Sequence, residues 1–174
     1  MKILVTGGTG YIGSHTVIEL QNKGFEVIIV DALFNSRIET LDAIEKICGI
    51  RPEFGSFDLA DQKLTDDFFS RHNDIKGIIH FAAHKAVGES VAKPIMYYRN
   101  NLVSFLNILE VAKKHGGCNV LFSSSATVYG EAEVLPVTEQ TPRLPATSPY
   151  GNTKQMCEDI LRDTVAAAGD EAEG

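Results

Sequence analysis

No stretch of this 174-residue chain approaches the roughly 18 consecutive apolar residues that a membrane-spanning helix requires. The first ten residues, "MKILVTGGTG", hold one lysine and four apolar residues before the glycines. That is too short for a signal-peptide core, and it reads as a strand entering a turn. The expectation is therefore a soluble, cytoplasmic protein with no membrane partner. Cysteine is scarce: Cys48, Cys118 and Cys157 are scattered, odd in number and lack CxxC spacing. They read as reduced thiols rather than a disulfide framework or a metal site, and no metal is expected. Blocks of like charge, low-complexity tracts and internal repeats are also missing. A net charge of −7 excludes the basic face that a nucleic acid or an anionic membrane would need.

What is present is an ordinary globular composition, 44% hydrophobic and 22% charged, long enough to bury a real core. Short apolar runs alternate with longer amphipathic ones. Strands are predicted at 2–6, 26–31, 52–57, 76–82 and 119–124, and helices at 11–23, 38–48, 61–72, 95–115 and 149–168. The fourth strand, "KGIIHFA", is apolar throughout its middle, as a strand covered on both faces should be. Such alternation argues for an α/β fold with a doubly wound parallel sheet of the dinucleotide-binding, Rossmann type. We read 1–168 as one such domain and 169–174 as a polar tail.

Between the first strand and the first helix lies Gly7-Gly8-Thr9-Gly10-Tyr11-Ile12-Gly13, which satisfies both GxGxxG and GxxGxxG. Glycine is needed there for a sharp turn, for close approach to a pyrophosphate and for helix-to-sheet packing. The helix N-terminus offers N–H groups and a positive dipole end to phosphates. Asp31 ends the second strand, where a carboxylate accepts the adenosine ribose hydroxyls and repels the extra phosphate of NADP. NAD is the expected cofactor, although Arg37 nearby leaves NADP open.

Tyr150 and Lys154 stand four apart on the last helix and so share a face. A free tyrosine, with a pKa of about 10, is a poor base at neutral pH. A neighbouring ammonium favours the phenolate and fits the pair for removing a proton from a hydroxyl whose carbon gives up a hydride. Ser148 is placed to cap this helix and Pro149 to occupy its first position. The run "SSSATVYG" (123–130) follows the fifth strand, at the sheet edge where ligands bind, and Ser125 there can reach the same hydroxyl as Tyr150.

The motifs "VTGGTGYIGSHT" (5–16), "HFAAHKAVGES" (80–90), "YYRNN" (97–101), "SSSATVYG" and "SPYGNTK" (148–154) together resemble the N-terminal half of a UDP-glucose (UDP-galactose) 4-epimerase. That family belongs to the extended short-chain dehydrogenase/reductase superfamily. The match runs from Met1 to about Arg162, and "KAVGES" is its most specific block. The resemblance implies bound NAD, UDP-galactose and UDP-glucose as substrates, and catalysis by Tyr150, Lys154 and Ser125, with Ser125 and Tyr150 on the sugar. It implies Gly7, Gly10, Tyr11, Ile12 and Gly13 near the pyrophosphate, and Asp31, Asn35 and Ser36 on the adenosine ribose side. Asp58 and Leu59 would border the adenine, with Phe81, Ala82, Ala83, Lys85, Asn100, Tyr150 and Lys154 along the rest of the cofactor. Relatives form homodimers through helices matched by about 95–115 and 149–168.

Two positions depart from the family. Ala32 stands where asparagine usually follows the ribose aspartate, and Phe57 where glycine commonly precedes the adenine-side aspartate. Related 4,6-dehydratases place an Asp-Glu pair just before "VYG", whereas Ala126 and Thr127 can act as neither acid nor base. A keto-sugar reductase is opposed by Asp31 and "KAVGES". Full-length relatives are about twice as long, so the fold is expected to be cut off after the fifth strand and its following helix. The C-terminal substrate domain is then absent, and the chain reads as an NAD-binding fragment with little activity of its own.

Overall fold

The computed structural model describes residues 1–173, with side chains as far as 168. Five strands form one parallel sheet: β1 (Lys2–Thr6), β2 (Glu26–Val30), β3 (Glu53–Gly55), β4 (Ile75–His80) and β5 (Asn119–Phe122), in the order β3-β2-β1-β4-β5. The helices are α1 (Tyr11–Asn22), α2 (Thr40–Cys48), α3 (Gln62–Arg71), α4 (Val87–Ala92), α5 (Pro94–Lys114) and α6 (Pro149–Glu173). The doubly wound expectation is met. Every predicted element is present within a few residues of its expected bounds.

The sequence reading treats 1–168 as one domain; within it the residues group into two compact units. The first, residues 1–83 and 103–123, holds the whole sheet. Successive side chains of a strand point to opposite faces, so Leu4, Ile28, Val30 and Ile78 pack on one side with Phe68, Phe69 and Ile108. Ile3, Val5, Val27 and Ile29 pack on the other with Val17, Leu41 and Ile44. With both faces covered, the central strands β1, β2 and β4 are apolar through their middles, which is what marks them in the sequence. Phe57, one of the two departures from the family, packs on the first of these clusters and tilts against Phe68 at 5.4 Å between ring centroids.

The second unit, residues 84–102 and 124 onward, contains α4, the start of α5, a 3-10 turn at Ala126–Tyr129 and α6. Neither α4 nor the 3-10 turn was foreseen. Six residues with glycine at the second position carry no helical period, and tertiary contact decides α4. The fully buried Tyr97 hydroxyl accepts the Ala86 N–H at 3.1 Å and donates to Glu89 at 2.9 Å. Burial, followed by the Glu89 contact, pushes the Tyr97 pKa above the ordinary tyrosine value, so it remains a donor. Helix α6 continues five residues past its expected end at 168, so the region read as a tail is helical backbone as far as Glu173. The side chains from 169 on, and Gly174, lie outside the described residues.

Candidate functional site

In the first unit, β1 runs directly into the glycine turn and out into α1. Gly13 sits in the first turn of α1, and a Cβ there would collide with the carbonyl oxygen of Gly7. Only glycine lets this helix start so close to the strand end. The Gly10 N-cap has no side-chain hydrogen bond and the first turn carries no acid. The helix therefore presents its amino end without a competing anion of its own. Tyr11 and Ile12 are exposed beside it.

Asp31 follows β2 and is joined to this turn. Its Oδ2 accepts the Thr9 N–H at 3.2 Å, while Oδ1 accepts from the Leu33 N–H at 2.9 Å and the Ser36 hydroxyl at 3.1 Å. Ser36 also meets the Thr9 hydroxyl at 2.8 Å. Leu33, just past Ala32, adopts a φ of 58°, a left-handed conformation that a leucine rarely takes. Asn35 is exposed in the same segment. Asp58 closes a turn by accepting the Ala60 N–H at 2.9 Å, and the Leu59 carbonyl accepts from Asn107 and Thr65. Phe81 and Ala82 are pinned to β1: Thr6 O accepts the Phe81 N–H, and Thr6 Oγ1 accepts the Ala82 N–H at 3.2 Å. A side chain at Gly7 would meet Ala82 backbone atoms, so these segments are in contact. The structure thus brings Gly7, Gly10, Tyr11, Ile12, Gly13, Asp31 and Ser36 together with Phe81 and Ala82; Ala83 follows directly.

The second unit carries the remaining predicted residues. Ser148 caps α6 as expected, its Oγ accepting the Gly151 N–H at 3.1 Å, and Pro149 opens the helix. Tyr150 and Lys154 share a face, with the ammonium 6.0 Å from the centre of the tyrosine ring. Lys154 is only 4% exposed. Burial drives its pKa down to about 8, against a small opposing pull from Cys157. Cys157 itself is pushed up to about 11, again by burial.

Gly151 explains how the serine run reaches this helix. A Cβ there would lie 3.2 Å from the Cβ and carbonyl of Thr127, so the 3-10 turn packs directly on the first turn of α6. Ser125 caps that 3-10 turn, its Oγ accepting the Thr127 N–H at 3.3 Å and the Thr127 hydroxyl at 3.0 Å. Gln155, next to Lys154, clasps the arrangement by donating to the carbonyls of Val128 and Leu144, each at 2.7 Å. Lys85 is exposed before α4, and Asn100 is partly buried on α5.

Three participants escaped the sequence reading: Thr127, Gln155 and Asn101. The Asn101 amide accepts the His84 N–H at 2.8 Å and donates both to His84 O at 3.0 Å and to Thr153 Oγ1 at 3.1 Å. Thr153 in turn donates to the Tyr150 carbonyl at 2.7 Å. Asn101 adjoins Asn100 in "YYRNN", and its bonds run to segments distant in the chain. Among the described residues no group of three or more His, Cys, Asp and Glu is placed to hold a metal ion. Among the described residues no helix is long and apolar enough to cross a membrane.

A family model described as GDP-mannose 4,6 dehydratase matches residues 4–171. The chain belongs to that family. Within it, the chain groups with UDP-glucose 4-epimerases, as its motifs led us to expect. It is 52% identical over 167 residues to the UDP-glucose 4-epimerase of Bacillus subtilis, covering 96% of this chain and 49% of the relative. The Haemophilus influenzae enzyme is 49% identical with the same coverage. The chain spans about half the length of the curated relatives it matches. Among solved structures, UDP-glucose 4-epimerase from Bifidobacterium longum, in complex with NAD+ and UDP, superposes with a TM-score of 0.93. It is 50% identical, over 96% of this chain and 50% of that one. The Stenotrophomonas maltophila enzyme, with bound NAD and formylated UDP-arabinopyranose, gives 0.91 at 41% identity, over 97% of this chain and 49% of that one.

Proposed function

We propose that this chain binds NAD and carries the catalytic groups of a UDP-glucose 4-epimerase, interconverting UDP-galactose and UDP-glucose in galactose metabolism. The observation that carries this reading is the second unit's arrangement of Tyr150, the buried Lys154 and the serine turn seated on Gly151. The first unit's residues fit the cofactor. An uncapped helix start with no acid in its first turn suits a pyrophosphate, and a carboxylate fixed by three donors suits a ribose diol. Gly7, Gly10, Tyr11, Ile12, Gly13, Asp31, Asn35 and Ser36 would hold the adenosine diphosphate side. Asp58, Leu59, Phe81, Ala82, Ala83, Lys85 and Asn100 would line the remainder.

NAD supplies, when bound, an acceptor for the hydrogen at sugar C4 and later its donor. The chain's own work is to move the proton. Tyr150, as phenolate, takes the proton of the 4-hydroxyl as the 4-keto sugar forms and returns it after the sugar presents its other face. The ammonium of Lys154, 6.0 Å from the centre of the tyrosine ring, is the cation that would stand beside that phenolate. Ser125 donates to the sugar oxygen. Its Oγ already accepts two hydrogen bonds from Thr127, so its own proton is the group left to offer.

The family model's description names a dehydratase, but the chemistry of the turn favours epimerisation. Eliminating water needs an acid and a base beside the sugar, and here Ala126 has neither while the Thr127 hydroxyl is spent on Ser125. Turnover belongs to a chain of the relatives' full length, and the 174 residues alone are expected to hold cofactor with little activity. Pairing of two copies through α5 and α6, and a cytoplasmic location, complete the reading. The test is Tyr150→Phe in the full-length chain. Conversion of UDP-galactose to UDP-glucose should fall by at least about 1,000-fold while NAD stays bound. Loss of the cofactor along with activity would refute the catalytic role.

A further inference from the structure

Helix α6 carries a third residue in register with Tyr150 and Lys154. Glu158 lies four positions beyond Lys154 and eight beyond Tyr150, so the three form one stripe. Its carboxylate is not idle on the surface: the side chain is 27% exposed and both oxygens are engaged. Oε1 accepts the Ser124 hydroxyl at 2.5 Å, a short, charge-assisted hydrogen bond. Oε2 lies 3.3 Å from the Arg143 guanidinium, which also grips Asp159 in bidentate fashion at 2.8 and 3.0 Å.

We propose that Glu158 is a positioning residue, fastening Ser124 to the catalytic helix so that Ser125 is presented on the face that carries Tyr150 and Lys154. The inference rests on the proposed reaction for its kinetic part only. Gln155 holds the backbone beyond the serine, at Val128, and Glu158 holds the side chain immediately before it. Ser125 is therefore pinned from both sides. A hydroxyl whose two acceptor sites are filled can act only where its single proton points, so its placement sets its usefulness. Misplacing a reacting partner by about 1 Å costs on the order of 100-fold in rate.

Two kinds of measurement test this. In the full-length chain, Ser124→Ala and Glu158→Ala should each lower kcat by roughly 10- to 100-fold, leaving KM and NAD content near the parent's. The double variant should be no worse than either single one, because both remove the same contact. Glu158→Gln keeps an acceptor for Ser124 but loses the charge facing Arg143, and it should recover most of the rate. In the 174-residue chain, amide hydrogen exchange over 124–130 should quicken in Glu158→Ala and in Ser124→Ala, while that of β1 to β4 stays unchanged. Unchanged exchange over 124–130, or a Glu158→Gln variant as slow as Glu158→Ala, overturns the proposal. A parent chain that lacks epimerase turnover yet shows the exchange difference overturns the reaction instead, and upholds the hold on Ser125.

Discussion

Replacing Lys154 by methionine should make the folded chain more stable, although it removes a group central to the proposed chemistry. The lysine is 4% exposed, and burial takes its pKa from 10.5 to about 8. Each tenfold loss of proton affinity corresponds to about 1.4 kcal/mol, so holding the ammonium charged costs about 3 kcal/mol of folding free energy. Below pH 8 the lysine is charged in the folded and the unfolded chain alike, and the whole cost is present. As pH rises from about 8 to 10.5 the folded chain sheds its proton first, and the cost shrinks until both states are neutral. Urea unfolding of the two chains, free of cofactor, reads the difference directly, since shared groups cancel. Lys154→Met should gain about 3 kcal/mol at pH 7 and only about 1 kcal/mol at pH 10. A variant less stable than the parent at pH 7, or a gain of equal size at both pH values, would refute the reasoning. The result would also identify this site as one where stability has been given up for activity.

Two further outcomes concern the first unit. Gly13→Ala drives a methyl group into the Gly7 carbonyl, so it should destabilise folding by about 1–3 kcal/mol and weaken NAD binding at least tenfold; a thermal melt and calorimetry at parental values would contradict the tight turn. NAD should bind more tightly than NADP, because the carboxylate of Asp31 is held facing the turn by Thr9, Leu33 and Ser36. Equal affinities by calorimetry would remove the argument for Asp31.

The central part of the fold was legible because a parallel sheet covered on both faces demands unbroken apolar strands, and "ILV", "VIIV" and "GIIH" supply them. The short third strand was weakest in the sequence and is the shortest in the structure, Glu53–Gly55. Helix α4 was invisible because a buried tyrosine hydroxyl ten residues downstream organises it. The shared face of Tyr150 and Lys154 and the Ser148 cap were readable from spacing and residue type. Glu158 and Gln155 were also within reach, since continuing the four-residue stride past Lys154 lands on Glu158. Thr127 and Asn101 were not. Their importance comes from hydrogen bonds to segments far along the chain, and no local pattern encodes those.

The strand order carries a consequence for how the chain acquires its structure. β1 is synthesised first, yet it ends in the middle of the sheet, with Lys2 paired to Glu26 on one side and to Ile75 on the other. The second pairing closes a loop roughly three times longer, which costs about 1 kcal/mol more in chain entropy before any contact repays it. β1 and β2 can thus associate while the chain is still short, but the opposite edge of β1 stays open until about 75 residues have emerged. The glycine turn hangs from that same strand end, and its contact with Ala82 comes later still. A glycine turn encoded by the first dozen residues therefore cannot close until β4 and Ala82 have emerged, so the site proposed for NAD waits on a segment about 75 residues downstream.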